Sequence, residues 1–509
     1  MVDNKLIAKN TIFLYIRMLV IMAVTLYTSR VILDKLGVDD YGLYNVVGGV
    51  VGMLGFLNAT LSTGTSRFIA YELGRNDIAR LKRTFSTSFY THLLLCGIVL
   101  VVMETIGLWF VYNKLVIPPD RLSAAVIVYQ ISIITTIISF TQVPYSATIM
   151  AHERMDIYAY VSIFEAAAKL AIAFLVSYTA FDRLIYYAIL LALLQFLVAM
   201  YYRYYCSKYF TEARVGKNFD RGIFRELLGF SGWNIIANLS ETLKSQGYII
   251  LINMFFQSAV VSAQAIGNQI ANAMMQFIGN FRTAINPQII KSYAAGEYED
   301  SKKLTLRTTV YVFDLVLLLG LPSILVMDKL VNLWLVEVPP YTVVFAQLII
   351  LQRIMGTFDA SFYTPMVAAG KLKKNAVFSI FFGPGMFVVL YVIYKFGGDV
   401  MWVQYISIIV ILVFSFIIKP YILMKDVEGY TLKDFLPCYL TCFKVLALSG
   451  ALSFIFMKLI PHEQVIGAAG LFVSSIASVA LSSYLFLDTQ AKNFIRRKVS
   501  VLIHKKSEL

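Results

Sequence analysis

Apolar stretches long enough to cross a bilayer follow one another along almost the whole chain, and that succession leaves few folds open. A spanning helix needs about 20 mostly apolar residues. In lipid every backbone amide and carbonyl must be paired internally, so such runs become helices. Spans are therefore expected at about 10–33, 42–72, 84–112, 121–150, 158–180, 184–206, 230–255, 261–290, 304–327, 341–368, 375–396, 401–424, 436–460 and 465–487. The fold class this implies is all-α and integral to a membrane, with about fourteen transmembrane helices. Of the 509 residues, 59% are hydrophobic and 15% charged, where a soluble domain has about 45–50% and about 25%. Connections of at most about 25 residues leave no room for a soluble catalytic domain.

The net charge of +14 fits the loops of such a protein better than a nucleic-acid interface, for which no signature is present. With the N-terminus inside, about 27 Lys and Arg fall in cytoplasmic segments and about seven in the opposite loops. That bias orients the chain in its membrane, with both termini cytoplasmic. The first apolar run continues from Thr11 to Leu33 without a small-residue cleavage site, so it reads as a retained span. Four cysteines and four histidines are scattered without metal-ligand spacing. No phosphate-binding G-x-x-x-x-G-K-[ST] occurs. Neither a metal nor a cofactor is expected, and no catalytic dyad marks the chain as an enzyme.

Internal similarity divides the chain. The loop Gly74–Arg80 reappears as Gly296–Lys302, the turn Ala151–Glu153 as Ala369–Lys371, and Leu36 with Gly48 as Phe255 with Gly267. The common offset of about 217–222 residues is one six-helix unit. Six is even, so the halves share an orientation, as in parallel-repeat transporters whose two bundles flank a central cavity. The expected division is a bundle over 1–206, a basic linker over 207–229, a second bundle over 230–425, and two extra helices with a basic tail over 426–509.

Charged groups at membrane depth are costly, and they mark a pathway, a partner or a wet cavity. Arg17 lies about two turns into the first span, on a face with Ile21, Val24 and Thr28. Its planar fork suits phosphate oxygens, against the rival readings of an interlobe pair and of snorkelling. Arg30 and Arg353 are further candidate anion ligands, with snorkelling or gating the alternative for Arg30. Glu165 and Lys169, four apart, are placed to neutralise each other. Span 7 carries the polar stripe Asn234, Asn238, Glu241, Ser245 and Tyr248, flanked by Lys244, and span 8 carries Asn272 and Gln276 among other carboxamides. Carboxamides suit hydroxyl-rich ligands, and equally they glue helices together. Glu241, Asp314 and Asp359 are the candidates for ion coupling. The glycines of span 2 allow close packing or a hinge, and Pro144, Pro287 and Pro365 are expected to kink their helices.

Six-plus-six spans plus two, the cytoplasmic loops at Gly74 and Gly296, and Arg30–Gly37 running into Tyr41–Tyr44 resemble the multidrug/oligosaccharidyl-lipid/polysaccharide exporter superfamily. The stretch Pro144–Met155 is similar to its polysaccharide transporter branch, the Wzx-like O-antigen flippases. The resemblance implies transfer of undecaprenyl-diphosphate-linked oligosaccharides to the periplasmic leaflet, for O-antigen, capsule or exopolysaccharide assembly. It also implies the polymerase and glycosyltransferases of the same pathway as partners, besides membrane lipids, and a phosphate-binding role for Arg17. The alternatives are a cation-coupled exporter of drugs or other small molecules and a peptidoglycan lipid-precursor flippase.

Overall fold

A computed structural model of the protein describes residues 4–75, 77–152, 154–216, 219–461, 463–488 and 492–493. In chain order the helices are α1 (Asn4–Leu36), α2 (Val38–Gly52), α3 (Gly55–Arg75), α4 (Ile78–Val102), α5 (Leu108–Asn113), α6 (Leu122–Ala151), α7 (Met155–Leu175), α8 (Arg183–Tyr209), α9 (Arg221–Phe255) and α10 (Ser258–Ala294). They continue with α11 (Tyr298–Leu325), α12 (Met327–Trp334), α13 (Thr342–Ala368), α14 (Lys373–Phe382), α15 (Pro384–Lys395), α16 (Trp402–Val413), α17 (Lys419–Asp426), α18 (Leu432–Leu459) and α19 (Val465–Phe486). Among the described residues, ten helical stretches are long and apolar enough to cross a membrane. The other expected spans fall on α1, α2–α3, α9 and α10.

Several expected spans are interrupted, each for a local reason. The span over 42–72 is two helices, broken at Met53–Leu54 between Gly52 and Gly55, where glycine makes continued helix costly. The span over 375–396 breaks at Gly383, and Pro384, which has no amide to donate, opens α15 at its first position. A π-helical turn, Met103–Gly107, joins α4 to α5; the Tyr129 hydroxyl donates to its Met103 carbonyl at 2.7 Å. A Cβ on Gly107 would overlap that hydroxyl. A second π-helical turn, Phe414–Ile418, joins α16 to α17, just before Pro420 removes a backbone donor from the ladder. By contrast, α6 and α13 run on through Pro144 and Pro365.

The helices form two compact units, Met1–Ile266 with Trp334–Thr342 and Ala376–Val403, and Gly267–Leu333 with Val343–Asn375 and Gln404–Leu509. In the first, α6 packs on α2, α3, α4 and α8, and α1 on α7. Helix α9 packs on α2, α3 and α4, and α15 on α9. Segments expected on the same side of the membrane meet. Arg121 binds Asp40 and Asp182, both at 2.5 Å, tying the starts of α2, α6 and α8 together. Arg183 donates to the Lys35 carbonyl at 3.0 Å. On the side expected to be cytoplasmic, the linker amides of Gly216 and Asp220 donate to Ser86 and Thr87 of α4 at 2.9 and 3.0 Å. His152, after α6, contacts Glu212 at 2.5 Å.

In the second unit α11 packs on α18 and α19, which pack on each other. Phe358 and Phe362 of α13 are fully buried against Phe313, Phe435 and Tyr439. Between membrane-spanning helices such rings hold by van der Waals packing, since lipid tails are as apolar as the rings. Loops expected inside meet here too: Lys374 binds Asp426 at 2.6 Å and Lys302 lies 3.3 Å from Asp434. The helix starts are capped by the residue types that accept amide bonds: Asp77 on α4, Asp182 on α8, Asp220 on α9, and a Thr431–Asp434 capping box on α18.

Candidate functional site

The membrane-depth charges of the second unit gather where α10, α13 and α17 bring one residue each. Lys419 opens α17 directly after the π-helical turn, and such turns recur at functional sites. Its ammonium is 3.1 Å from an Asp359 oxygen, with side-chain exposures of 4% for the lysine and 28% for the aspartate. The ammonium also lies 4.9 Å from the ring centroid of Tyr363, one turn along α13 from Asp359, where the ring face attracts a cation. Arg282 of α10 donates to Ser361 Oγ at 3.3 Å and to the Thr357 carbonyl at 3.5 Å, and Asp359 is within its electrostatic reach. One turn on, Thr364 donates to Asn286 Oδ1 at 3.1 Å. Thr357, Ser361 and Thr364 follow the i, i+4, i+7 pattern, so one polar face of α13 meets α10.

A lone ammonium in a water-poor interior carries a desolvation cost of several kcal/mol, and Asp359 offsets part of it. Among the described side chains of this cluster, the two cations Arg282 and Lys419 stand against the one carboxylate Asp359. The surplus is positive. Such a set can hold an anion bearing several oxygens, because guanidinium and ammonium both donate to them.

The residues singled out in the sequence separate into three groups. Asp359 joins Lys419 and Arg282. Asp314, the other carboxylate considered for coupling, is half-buried on α11, which faces α18 and α19, apart from that cluster. Arg30 and Arg353 are half-buried, while Asn272 and Gln276 of α10 are exposed. The side chains of Arg17, Asn234, Asn238, Glu241, Lys244 and Ser245, on α1 and α9, lie outside the described residues. Tyr248, at the end of that stripe, is buried. Glu165 and Lys169 pair at 2.6 Å, as their spacing requires.

Sequence reasoning passed over Lys419. The signal was present: a cation in the most apolar span, whose mean hydropathy reaches 2.5. It was masked by its position near the expected inner end, where a lysine ordinarily reaches the headgroups. Among the described residues no cluster of His, Cys, Asp and Glu could hold a metal ion.

The seam between the two halves of the sequence is also defined, within the first unit. Ser262 of α10 donates to the Val38 carbonyl at 2.6 Å, and Asn253 of α9 exchanges hydrogen bonds with the backbone of Val116 at 3.1 and 3.3 Å. Gly42 faces the Ser258 carbonyl so closely that a Cβ there would overlap it.

Comparison with known proteins agrees with this architecture. A family described as polysaccharide biosynthesis protein matches residues 36–336. No curated protein matches. Among solved structures, the inward-facing conformation of a multidrug resistance MATE family transporter of the MOP superfamily superposes with a TM-score of 0.67 at 14% identity, over 79% of this chain and 94% of that one. An outward-facing conformation of such a transporter gives 0.59 at 14%, over 81% and 94%. A MATE structure in the straight conformation gives 0.58 at 16%, over 82% and 95%. At these identities the likeness establishes the fold, that of a MATE-like membrane transporter. The helices take that fold, and the family match covers more than half of the chain, so the protein belongs to the polysaccharide biosynthesis protein family.

Proposed function

We propose that this protein is a flippase that moves undecaprenyl-diphosphate-linked oligosaccharides from the cytoplasmic to the periplasmic leaflet of the inner membrane. Two six-helix bundles, joined through 207–229 and followed by two further helices, alternate access to a central cavity, with both termini cytoplasmic. The observation that carries this reading is the pair of membrane-depth cations Arg282 and Lys419 gathered on Asp359, the single carboxylate among that cluster's described side chains, in a polysaccharide biosynthesis protein. A diphosphate enters a low-dielectric interior only where fixed positive charge replaces its water. Arg17 and Arg30 add cations from α1. The exposed carboxamides Asn272 and Gln276 of α10, with Asn234 and Asn238 of α9, supply partners for sugar hydroxyls. The polyprenyl tail stays in lipid.

A second reading, a cation-coupled exporter of small molecules, is favoured by the MATE-like fold and would use Asp359, Glu241 or Asp314. Pairing of Asp359 with Lys419 weighs against it, because a coupling carboxylate must exchange its cation. Binding separates the two readings. Neutralising Arg17 together with Arg353 is expected to weaken binding of a diphosphate-linked lipid by roughly a hundredfold, two charge-assisted contacts, and binding of a neutral glycolipid hardly at all. Equal loss for both ligands would make the cations structural. Tight binding of a cationic drug by the native protein would favour the exporter.

A further inference from the structure

We propose that Asp314, in the seam of α11, α18 and α19, is a proton-binding site whose proton exchanges with water through the cleft beside that seam. Asp314 is sixteen residues from Tyr298 and eleven from Leu325, the two ends of its membrane span. At about 1.5 Å per residue the nearer end is roughly 16 Å away, close to the middle of a bilayer core about 30 Å thick. A carboxylate at that depth is costly and ordinarily has a cation beside it. Among the described residues Asp314 has none; the group beside it is the hydroxyl of Ser483 on α19. Asp314 Oδ1 is buried without a hydrogen-bond partner, and so is Ser483 Oγ.

The packed neighbours offer no charge to take the proton's place. From α18 come the thiols of Cys442 and Cys438, both reduced and buried. Lys444, two residues past Cys442 and so on a different face, is exposed. From α13 come apolar side chains, Phe358 on Phe313 and Ile350 and Ile354 on Gly320. On α11 itself Tyr311, one turn from Asp314, donates its hydroxyl to Asp488 Oδ2 at 2.9 Å. Arg307, two turns away, lies 3.4 Å from the same carboxylate. Lys492, beyond α19, donates to the Leu485 carbonyl at 2.9 Å. A metal cation is a poor substitute for the proton. Hard cations gather several oxygen ligands, and this seam holds a carboxylate, one adjacent hydroxyl and two thiols. A proton needs the carboxylate alone: it cancels the charge and gives Ser483 Oγ a donor.

The cleft supplies the route. Its volume of about 230 Å³ has room for several water molecules. Tyr311 and Cys438 both line it, one turn from Asp314 and from Cys442. Water entering from the side expected to be cytoplasmic therefore comes within a turn of the carboxyl. A flippase and an exporter can each use such a proton, so the site does not rest on the choice between those readings.

The test is infrared spectroscopy of the full-length purified protein in detergent at neutral pH, native against Asp314→Asn. Asparagine has nearly the shape of the protonated acid, so the variant should fold. A protonated carboxyl has a carbonyl stretching band that an ionised one lacks. The native protein is expected to show such a band, and Asp314→Asn to lose it. In heavy water the band shifts as deuterium replaces the proton. Val310→Trp fills the cleft from α11 and should slow that shift while leaving the band in place, and Thr441→Phe should do the same from α18. Replacing choline chloride by sodium chloride should leave the band unchanged. Its loss in sodium would make Asp314 a sodium site and overturn the proposal. So would a native spectrum from which Asp314→Asn removes nothing, or exchange as fast in both cleft variants as in the native protein.

Discussion

Lys419 and Asp359 illustrate what one residue can be asked to do inside a membrane protein. The lysine is almost wholly buried while its partner keeps an open side. The two are therefore not equivalent in what their removal leaves behind. Asp359→Ala strands a buried ammonium and is expected to cost about 3 kcal/mol or more of stability. Lys419→Met should cost less, because the methionine packs against Tyr363 and the carboxylate it leaves is less buried. The double substitution should recover most of the Asp359→Ala loss. Unfolding of the purified variants in detergent measures all three, and simple additivity would mean that the pair is not coupled. At this scale the sequence is partly legible. Asp359 stands out as an acid in an apolar run, but nothing local links it to a lysine sixty positions away or to Arg282 on a third helix. The adjacency is made by packing of α10, α13 and α17, and periodicity along one helix carries no information about it.

At the scale of the helical element, apolar runs settle where the helices are, and backbone chemistry settles where they break. The glycine pair around Met53 and the Gly383–Pro384 step are visible in the sequence as breakers. The π-helical turn at Met103 is not, since it depends on Tyr129 reaching across from α6. End-to-end ties are equally hidden: Arg121 meets Asp40 and Asp182 from 81 and 61 residues away. These two carboxylates respond oppositely to the same arginine. Burial lifts Asp40 above its ordinary value despite Arg121, with Asp182 and Asp39 adding to the rise. Burial would lift Asp182 as well, but hydrogen bonds from Arg121 and the Ile185 amide outweigh it and hold that carboxyl below the ordinary range. The folded state thus favours a protonated Asp40, a stabilisation present at low pH and lost as pH rises through the raised value. For Asp182 the stabilisation is present above the ordinary carboxylate range and lost as pH falls through the lowered value. At neutral pH Asp182 should be the partner that matters. Asp182→Ala also uncaps α8 and is expected to cost about 1–2 kcal/mol. Asp40→Asn should be close to neutral there. Melting of each variant at neutral pH checks the order, and a larger loss from Asp40→Asn would reverse it.

For the whole molecule, the all-helical membrane fold is the legible part, because it follows from where the hydrophobic runs fall. Which helices of the second half pack against the first is not legible. Those contacts, Ser262 on Val38 and Ser258 on Gly42, need glycine and serine at facing positions, and such residues occur on most helices of a membrane protein. If the two halves rock during transport, this seam must open. Cysteines introduced at Val38 and Ser262 and joined by a short bismaleimide should stop export, while each single cysteine treated alike should leave export intact. Full export by the quantitatively bridged protein would exclude opening at this seam.

One feature of the interior makes that chemistry simple to carry out. Cys96, Cys206, Cys438 and Cys442 are all reduced and buried. A water-borne thiol reagent therefore finds little to modify in the folded native chain, and label incorporated after a cysteine is introduced reports on that position. The natural sequence can serve as its own background for site-directed probes, with no prior replacement of its cysteines.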